Sequence, residues 1–217
     1  MTTRRLFLAG SAAFALSACS STGRSNLNSN VIQVDEPWAS HYSLRNDNGY
    51  TIPGIDVRRI PQQYWRQEVE YYGSEAPGSI VVNTTDRFLY LVQPGGWAIR
   101  YGVGVGREEG LNFRGSATVG RKAAWPHWTP TANMIRTQPD KYGPFASGLE
   151  GGLKNPLGAR ALYLYRGGKD THFRLHGTIE PYSIGESVSS GCIRLINQDI
   201  IDLYGRVQTG ARVTVIS

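Results

Sequence analysis

The chain has 217 residues, enough to bury a substantial core but short for two full domains. With 26 glycines, 12 tyrosines and 11 prolines against 18% charged residues, it reads as a turn-rich, mainly β protein and not as a helical bundle. The formal net charge of +6 comes without a basic run interleaved with aromatics, which argues against a nucleic-acid partner and suits a carboxylate-rich polymer or simply a soluble basic face.

Residues 1–18 read as a signal peptide. Arg4 and Arg5 precede an Ala- and Leu-rich run ending at Ala18, too short for the roughly 20 residues a membrane span needs. The pair within Thr3-Arg4-Arg5-Leu6-Phe7-Leu8 suits either twin-arginine export or the basic start of an ordinary leader. Leu16-Ser17-Ala18-Cys19 reads as a lipobox, in which Cys19 is acylated and becomes the mature N-terminus. Ordinary cleavage after Ala18 would put bulky Leu16 where a small residue is wanted, and cleavage near Ala15 or Ser17 is the rival. The expectation is an exported protein on the periplasmic face, held to a membrane by its lipid anchor only. Residues 19–35 are polar and too poor in apolar side chains to offset the cost of ordering, so they should form a flexible tether.

Residues 36–77 shift to aromatics and prolines, among them Trp38, Tyr42, Pro53, Pro61 and Trp65. An irregular segment packed on the following domain is expected, with one short strand over 66–72. The main domain, 78–217, opens on hairpin-linked strands at 79–83, 88–92 and 97–105, by β-branched and aromatic enrichment and the turn residues between them. Gly102-Val103-Gly104-Val105-Gly106 superficially resembles a dinucleotide loop but lacks the strand-then-helix context. Trp125-Pro126-His127-Trp128-Thr129-Pro130 cannot be regular helix or central strand. Trp125 and Trp128 there are either part of a packed loop or the substrate-binding wall of a cleft. A second Gly/Pro loop follows at 148–158.

Strands at 161–165 and 171–176, joined at Gly167-Gly168, form a hairpin that delivers His176 to a strand end. His172 and His176 would suit a metal on a helix, but on a strand they lie roughly 13 Å apart at about 3.3 Å per residue. No metal site is expected, and no cofactor. Sixteen residues beyond His176 comes Cys192, the only thiol apart from Cys19. A nucleophilic cysteine needs a base to take its proton, and His176 is the nearest candidate. Gly191 leaves room for a substrate carbonyl, and the backbone N–H groups of Gly191 and Cys192 could form an oxyanion hole. In an extended segment Ser190, Cys192 and Arg194 share a face, which brings a cation to the thiol. Asn197 is a plausible N-cap for a short helix through Tyr204, and 212–216 reads as a closing strand.

His176-Gly177-Thr178, a variable loop, then Ser189-Ser190-Gly191-Cys192-Ile193-Arg194-Leu195 resembles the active-site signature of the YkuD-type L,D-transpeptidases, cysteine enzymes of bacterial peptidoglycan. The likeness runs from about Val69 to the C-terminus. Sortases share the order His, Cys, Arg with wider separation, and papain-like and NlpC-type peptidases place Cys before His. The resemblance implies a β-sandwich or barrel catalytic domain with a short helix after the cysteine. It implies that Cys192 attacks the carbonyl following the L-centre of the third residue in a tetrapeptide stem, releasing D-alanine. His176 would be general base and acid, oriented by the backbone carbonyl of Gly177. Arg194 would position the loop, and Ser189 or Ser190 would bind substrate or do the same. Ser190 stands where several relatives carry His.

The leading reading is transfer of the acyl group to an amine, either of a second stem peptide, making a 3–3 cross-link, or of an outer-membrane protein coupled to the wall. Hydrolysis of the same thioester, as an L,D-carboxypeptidase, is the second reading. A non-catalytic peptidoglycan-binding lipoprotein is the third.

Overall fold

The computed structural model describes residues 40–107, 113–189 and 191–217. The expected signal peptide, Cys19, the tether and Ser190 lie outside the described residues. Among those described, the architecture is mainly β. Strands β1 (Arg45–Asp47) and β2 (Tyr50–Ile52) form a small hairpin. There follow β3 (Gln67–Glu70), β4 (Ile80–Asn83), β5 (Phe88–Gln93), β6 (Trp97–Gly102) and β7 (Val105–Gly106). After β8 (Gly115–Ala124) come helices α1 (Ala132–Thr137) and α2 (Pro139–Tyr142), then β9 (Arg160–Arg166), β10 (Lys169–His176), β11 (Ser187–Ser189) and β12 (Ile193–Arg194). Helix α3 (Asn197–Arg206) and β13 (Arg212–Ile216) complete the chain.

Nine strands make one sheet in the order β12-β10-β9-β8-β13-β4-β5-β6-β3, and β7 pairs with β11. The last strand, β13, lies parallel to β4 and antiparallel to β8, so it joins the early hairpins to the late ones. In β4 the β-branched run Ile80-Val81-Val82 is buried throughout, as befits a strand flanked on both edges. Leu89 and Leu91 of β5 point into a core shared with Leu162, Leu164 and Leu175. Helix α3 packs on β9 and adds Ile200 and Leu203 to that core. Each such side chain stabilises by about 1.5–3 kcal/mol when fully buried. Lys122 closes the helix by donating to the Tyr204 and Val207 carbonyls, at 2.7 and 2.5 Å.

Four expectations change in detail. The strand expected over 97–105 stops at Gly102, where a side chain would collide with the backbone of Tyr64. Beyond it Val103 donates to the Arg87 carbonyl and Gly104 bridges to Arg194, so the chain crosses to the segment that carries the cysteine. The strand expected over 66–72 is shorter, Gln67–Glu70, and pairs with β6. Helices α1 and α2 were unexpected; Thr131 Oγ1 accepts from Met134 N to start α1, and Pro139 opens α2. Finally, Ile196 and not Asn197 occupies the N-cap of α3, because the Asn197 side chain is drawn away to other partners.

Candidate active site

Residues His176 and Cys192 are brought together by strand pairing. In the parallel ladder of β10 and β12, Leu175 lies opposite Ile193 and His176 opposite Arg194, and Leu195 N–H donates to the His176 carbonyl at 2.8 Å. Cys192 thus enters one residue before β12, beside the end of β10. It does so off a turn: Gly191 has φ +118, a backbone geometry that side chains with a Cβ rarely adopt. The alternating face expected for Ser190, Cys192 and Arg194 is therefore not a strand face at Cys192, since regular pairing starts only at Ile193.

The turn is clamped from within. Ser189, buried, donates its hydroxyl to the Cys192 carbonyl at 2.6 Å and accepts from Gly191 N–H at 3.1 Å. Ser189 was expected to bind substrate or position the loop, and Gly191 N–H to help form an oxyanion hole; here both groups are engaged in holding the loop.

His176 is buried and its Nδ1–H donates to the Gly177 carbonyl at 2.6 Å. A carbonyl can only accept, so the neutral ring carries its proton on Nδ1 and its lone pair on Nε2. Burial lowers its pKa from 6.5 to about 4, and the Arg194 and Arg174 charges push the same way. Backbone hydrogen bonds to Gly177 and Leu157 oppose the shift. The same two guanidinium groups act on Cys192. Desolvation pushes that thiol up, while the backbone N–H of Arg174 and the charges of Arg174 and Arg194 favour the thiolate. In this resting arrangement the half-buried thiol reaches the His172 carbonyl, 3.9 Å away, and no hydrogen bond joins it to the His176 ring. Apo sites commonly hold such bonds open until substrate arrives.

A bulge in β10 builds the wall beside the sulfur. The register with β9 shifts between Asp170 and Arg174, with His172 at φ +64. Asp170 accepts both Arg174 Nη1 and Nη2, at 2.8 and 3.0 Å, and also accepts from His172 N–H at 2.8 Å. The carbonyl of His172 faces the thiol. Arg194 donates to Glu180 Oε2 at 2.8 Å and so ties β12 to the loop between His176 and Cys192.

Several contacts that hold this geometry escaped the sequence reading. Asn197 accepts from Ala159 N–H and donates to the Thr178 carbonyl, both at 2.9 Å. Gly177 packs on Gly158 so closely that a side chain on either would strike the other strand or Asn197. The only sequence signal was Asn155-Pro156-Leu157-Gly158, read as a loop without a partner. Trp125 and Trp128 are placed in loop packing. Trp125 stacks on Tyr50, with centroids 4.2 Å apart, and its Nε1 donates to Asp47 at 2.8 Å. Trp128 bridges to Leu149 and packs between Tyr142 and Phe145.

Among the described residues no group of three His, Cys, Asp or Glu side chains is arranged to hold a metal, and no helix is long and apolar enough to cross a membrane. A groove of about 640 Å³ lined by Trp65, Arg66, Asp202 and Arg206 lies elsewhere and contains neither His176 nor Cys192. The chemistry, not the concavity, locates the site.

Comparison with known proteins bears on the family of the chain. The YkuD family, described as the L,D-transpeptidase catalytic domain, matches residues 77–215. The chain is 34% identical over 194 residues to the probable L,D-transpeptidase YbiS of Escherichia coli K12, covering 83% of this chain and 59% of that protein. It is 37% identical over 194 residues to the probable L,D-transpeptidase ErfK/SrfK of the same organism, covering 83% and 58%. The chain therefore spans less than two thirds of these relatives. A solved structure from Brucella melitensis, described as a probable carnitine operon oxidoreductase caia, is 47% identical and superposes with a TM-score of 0.50, covering 74% of this chain and 99% of that one. The glycines that might suggest a dinucleotide loop here, 102–106, lie in β6, β7 and the bridge to Arg194, not at a strand-to-helix turn.

Proposed function

This chain belongs to the YkuD family of L,D-transpeptidase catalytic domains, and from that we propose that it is a cysteine acyltransferase acting on peptidoglycan stem tetrapeptides. The Cys192 sulfur attacks the carbonyl that follows the L-centre of the third residue, and its proton passes to His176 Nε2. With the thiol pushed up and the imidazole at about 4, a resting thiolate–imidazolium pair is disfavoured. The proton therefore moves as the carbon–sulfur bond forms. The tetrahedral intermediate then expels D-alanine, whose amine takes the proton from His176, leaving a thioester on Cys192. An acceptor amine attacks this thioester, gives up a proton to His176, and leaves as the new amide while the thiol is restored.

The observation that carries this reading is the His176 ring, buried and locked on the Gly177 carbonyl with Nε2 as its basic atom, beside the segment that turns Cys192 toward β10. Incubation of the purified protein with disaccharide-tetrapeptide, followed by mass spectrometry, tests it. Cross-linked dimers with loss of D-alanine are expected, and Cys192→Ala should give none while keeping its circular dichroism. Tripeptide alone would replace the amine acceptor by water. Unchanged substrate, or turnover by Cys192→Ala, would remove the nucleophile from this account.

A further inference from the structure

Asp47, in the small β1–β2 hairpin, has no part in the chemistry above, yet it makes the most closely fitted ion pair described in the molecule. Its two carboxylate oxygens accept from Arg160 Nη2 and Nη1, each at 2.7 Å, and one of them also accepts from Trp125 Nε1 at 2.8 Å. The side chains are only 12% and 9% exposed. Arg160 holds the Asp47 carboxyl below the ordinary carboxylate range. Burying two charges is costly unless they are paired in good geometry, and a two-pronged guanidinium–carboxylate fork supplies that geometry. Tyr50 of the same hairpin stacks on Trp125 and donates to the Gly151 carbonyl at 2.8 Å.

The backbone around Arg160 leads to the catalytic ring. Arg160 O accepts from Gly177 N–H at 3.0 Å, and the carbonyl of that same Gly177 accepts from His176 Nδ1–H. On the other side, Ala159 O accepts from Trp125 N–H at 2.8 Å and from Arg160 Nη1 at 2.8 Å, and Ala159 N–H donates to Asn197. The start of β9 is thus held from the hairpin by Asp47 and presents its next carbonyl to Gly177.

We propose that Asp47, acting through Arg160, is a positioning residue for His176: the Asp47–Arg160–Trp125 clamp fixes the edge of β9 on which Gly177 rests and so keeps the His176 ring in its Nδ1–H form. This rests on the role given to His176 above. Without the clamp the Gly177 carbonyl loses its register, the ring populates the opposite tautomer, and Nε2 then carries a proton where the thiol needs a base.

The test reads the ring directly. In the full chain labelled with ¹⁵N-histidine, the long-range ¹⁵N–¹H pattern of His176 should report Nδ1–H, and in Asp47→Asn a mixture of the two tautomers. The kcat on tetrapeptide should fall about tenfold or more with KM little changed, and Arg160→Lys, which keeps the charge but not the fork, should fall between. Asp47→Asn with an unaltered His176 pattern and kcat would overturn the proposal. If that variant does not fold, Arg160→Lys is read by the same signal and decides. A tautomer change in Asp47→Asn in a protein that turns over no tetrapeptide would sink the enzymatic reading and leave the positioning role standing.

Discussion

His176 is a histidine that the fold keeps neutral, and that has a consequence for stability as well as for chemistry. The folded chain holds the ring unprotonated down to about pH 4, chiefly because it is buried, whereas an unfolded chain takes up the proton near 6.5. Between those values the unfolded state binds the additional proton. The stability linked to this group is therefore complete above pH 6.5 and is lost as the pH falls toward 4, by roughly 3 kcal/mol at most. Urea denaturation at pH 7 and at pH 4.5, in the wild type and in His176→Gln, isolates it, because every carboxylate contributes equally to both proteins. The variant should lose less stability on acidification, and an equal loss would mean that the ring is not buried in its neutral form. At this scale the sequence was legible where residues of the site are neighbours in one motif: His176, Gly177, Ser189, Cys192 and Arg194 all come from one stretch. Arg174 was not legible, since its backbone N–H, which any residue type carries, and its charge reach the sulfur only through the bulge in β10. Ser189 was visible with both roles open, because a hydroxyl serves a loop or a ligand equally well until its partners are known.

Helix α3 shows how an element's existence can be read while its contacts cannot. The apolar spacing of Ile200, Leu203 and Tyr204 predicts the helix, and Ile200 and Leu203 face the core. What the pattern conceals is that the polar residues just before them are not at the surface. Gln198 and Asp199 are wholly buried, with Gln198 donating to the Ser43 and Pro53 carbonyls and Asp199 accepting from Tyr42 and bonded to His41. Asn197 was taken for a cap because Asn at a helix start usually is one, but its side chain reaches β9 and the turn after His176. Asn197→Ala should cost about 1–3 kcal/mol, since the buried Ala159 N–H loses its acceptor and the Thr178 carbonyl its donor. A cap would lose about as much stability but leave the site intact. The distinguishing measurement is therefore kcat on tetrapeptide alongside the urea midpoint: both should fall for Asn197→Ala, and a fall in stability alone would return the residue to an ordinary capping role.

Across the whole molecule, the hairpin strands and the late His–Cys segment could be read from local pattern, whereas the joins between distant parts could not. The parallel pairing of β13 with β4 and the bridge from Gly104 to Arg194 depend on backbone register between residues far apart in sequence. The same holds for 36–77, expected as an irregular segment with one short strand and found, over its described residues 40–77, as a hairpin, two short 3₁₀ turns and that strand, the edge strand β3. Tyr42, Ile60 and Tyr64 from this segment form a second core with Ile184 and Ile196, so it covers residues on both sides of Cys192 in sequence. It also ties down Asp202 through Arg66, at 2.9 Å. The family match begins only at residue 77 and leaves this segment out, so its necessity can be tested by removal. A chain lacking everything before residue 77 loses four large buried side chains, Tyr42, Ile52, Ile60 and Tyr64. At about 1.5–3 kcal/mol each, their loss rivals the roughly 5–15 kcal/mol by which a typical domain is stable. It also bares the edge of β6 that β3 now pairs, an invitation to intermolecular strand addition. The shortened chain should lose its cooperative thermal transition and elute as aggregate in size-exclusion chromatography. A monomer melting within about 5 °C of the parent would mean that residues 77–217 carry the fold alone, and that the Asp47 hairpin does not support the molecule.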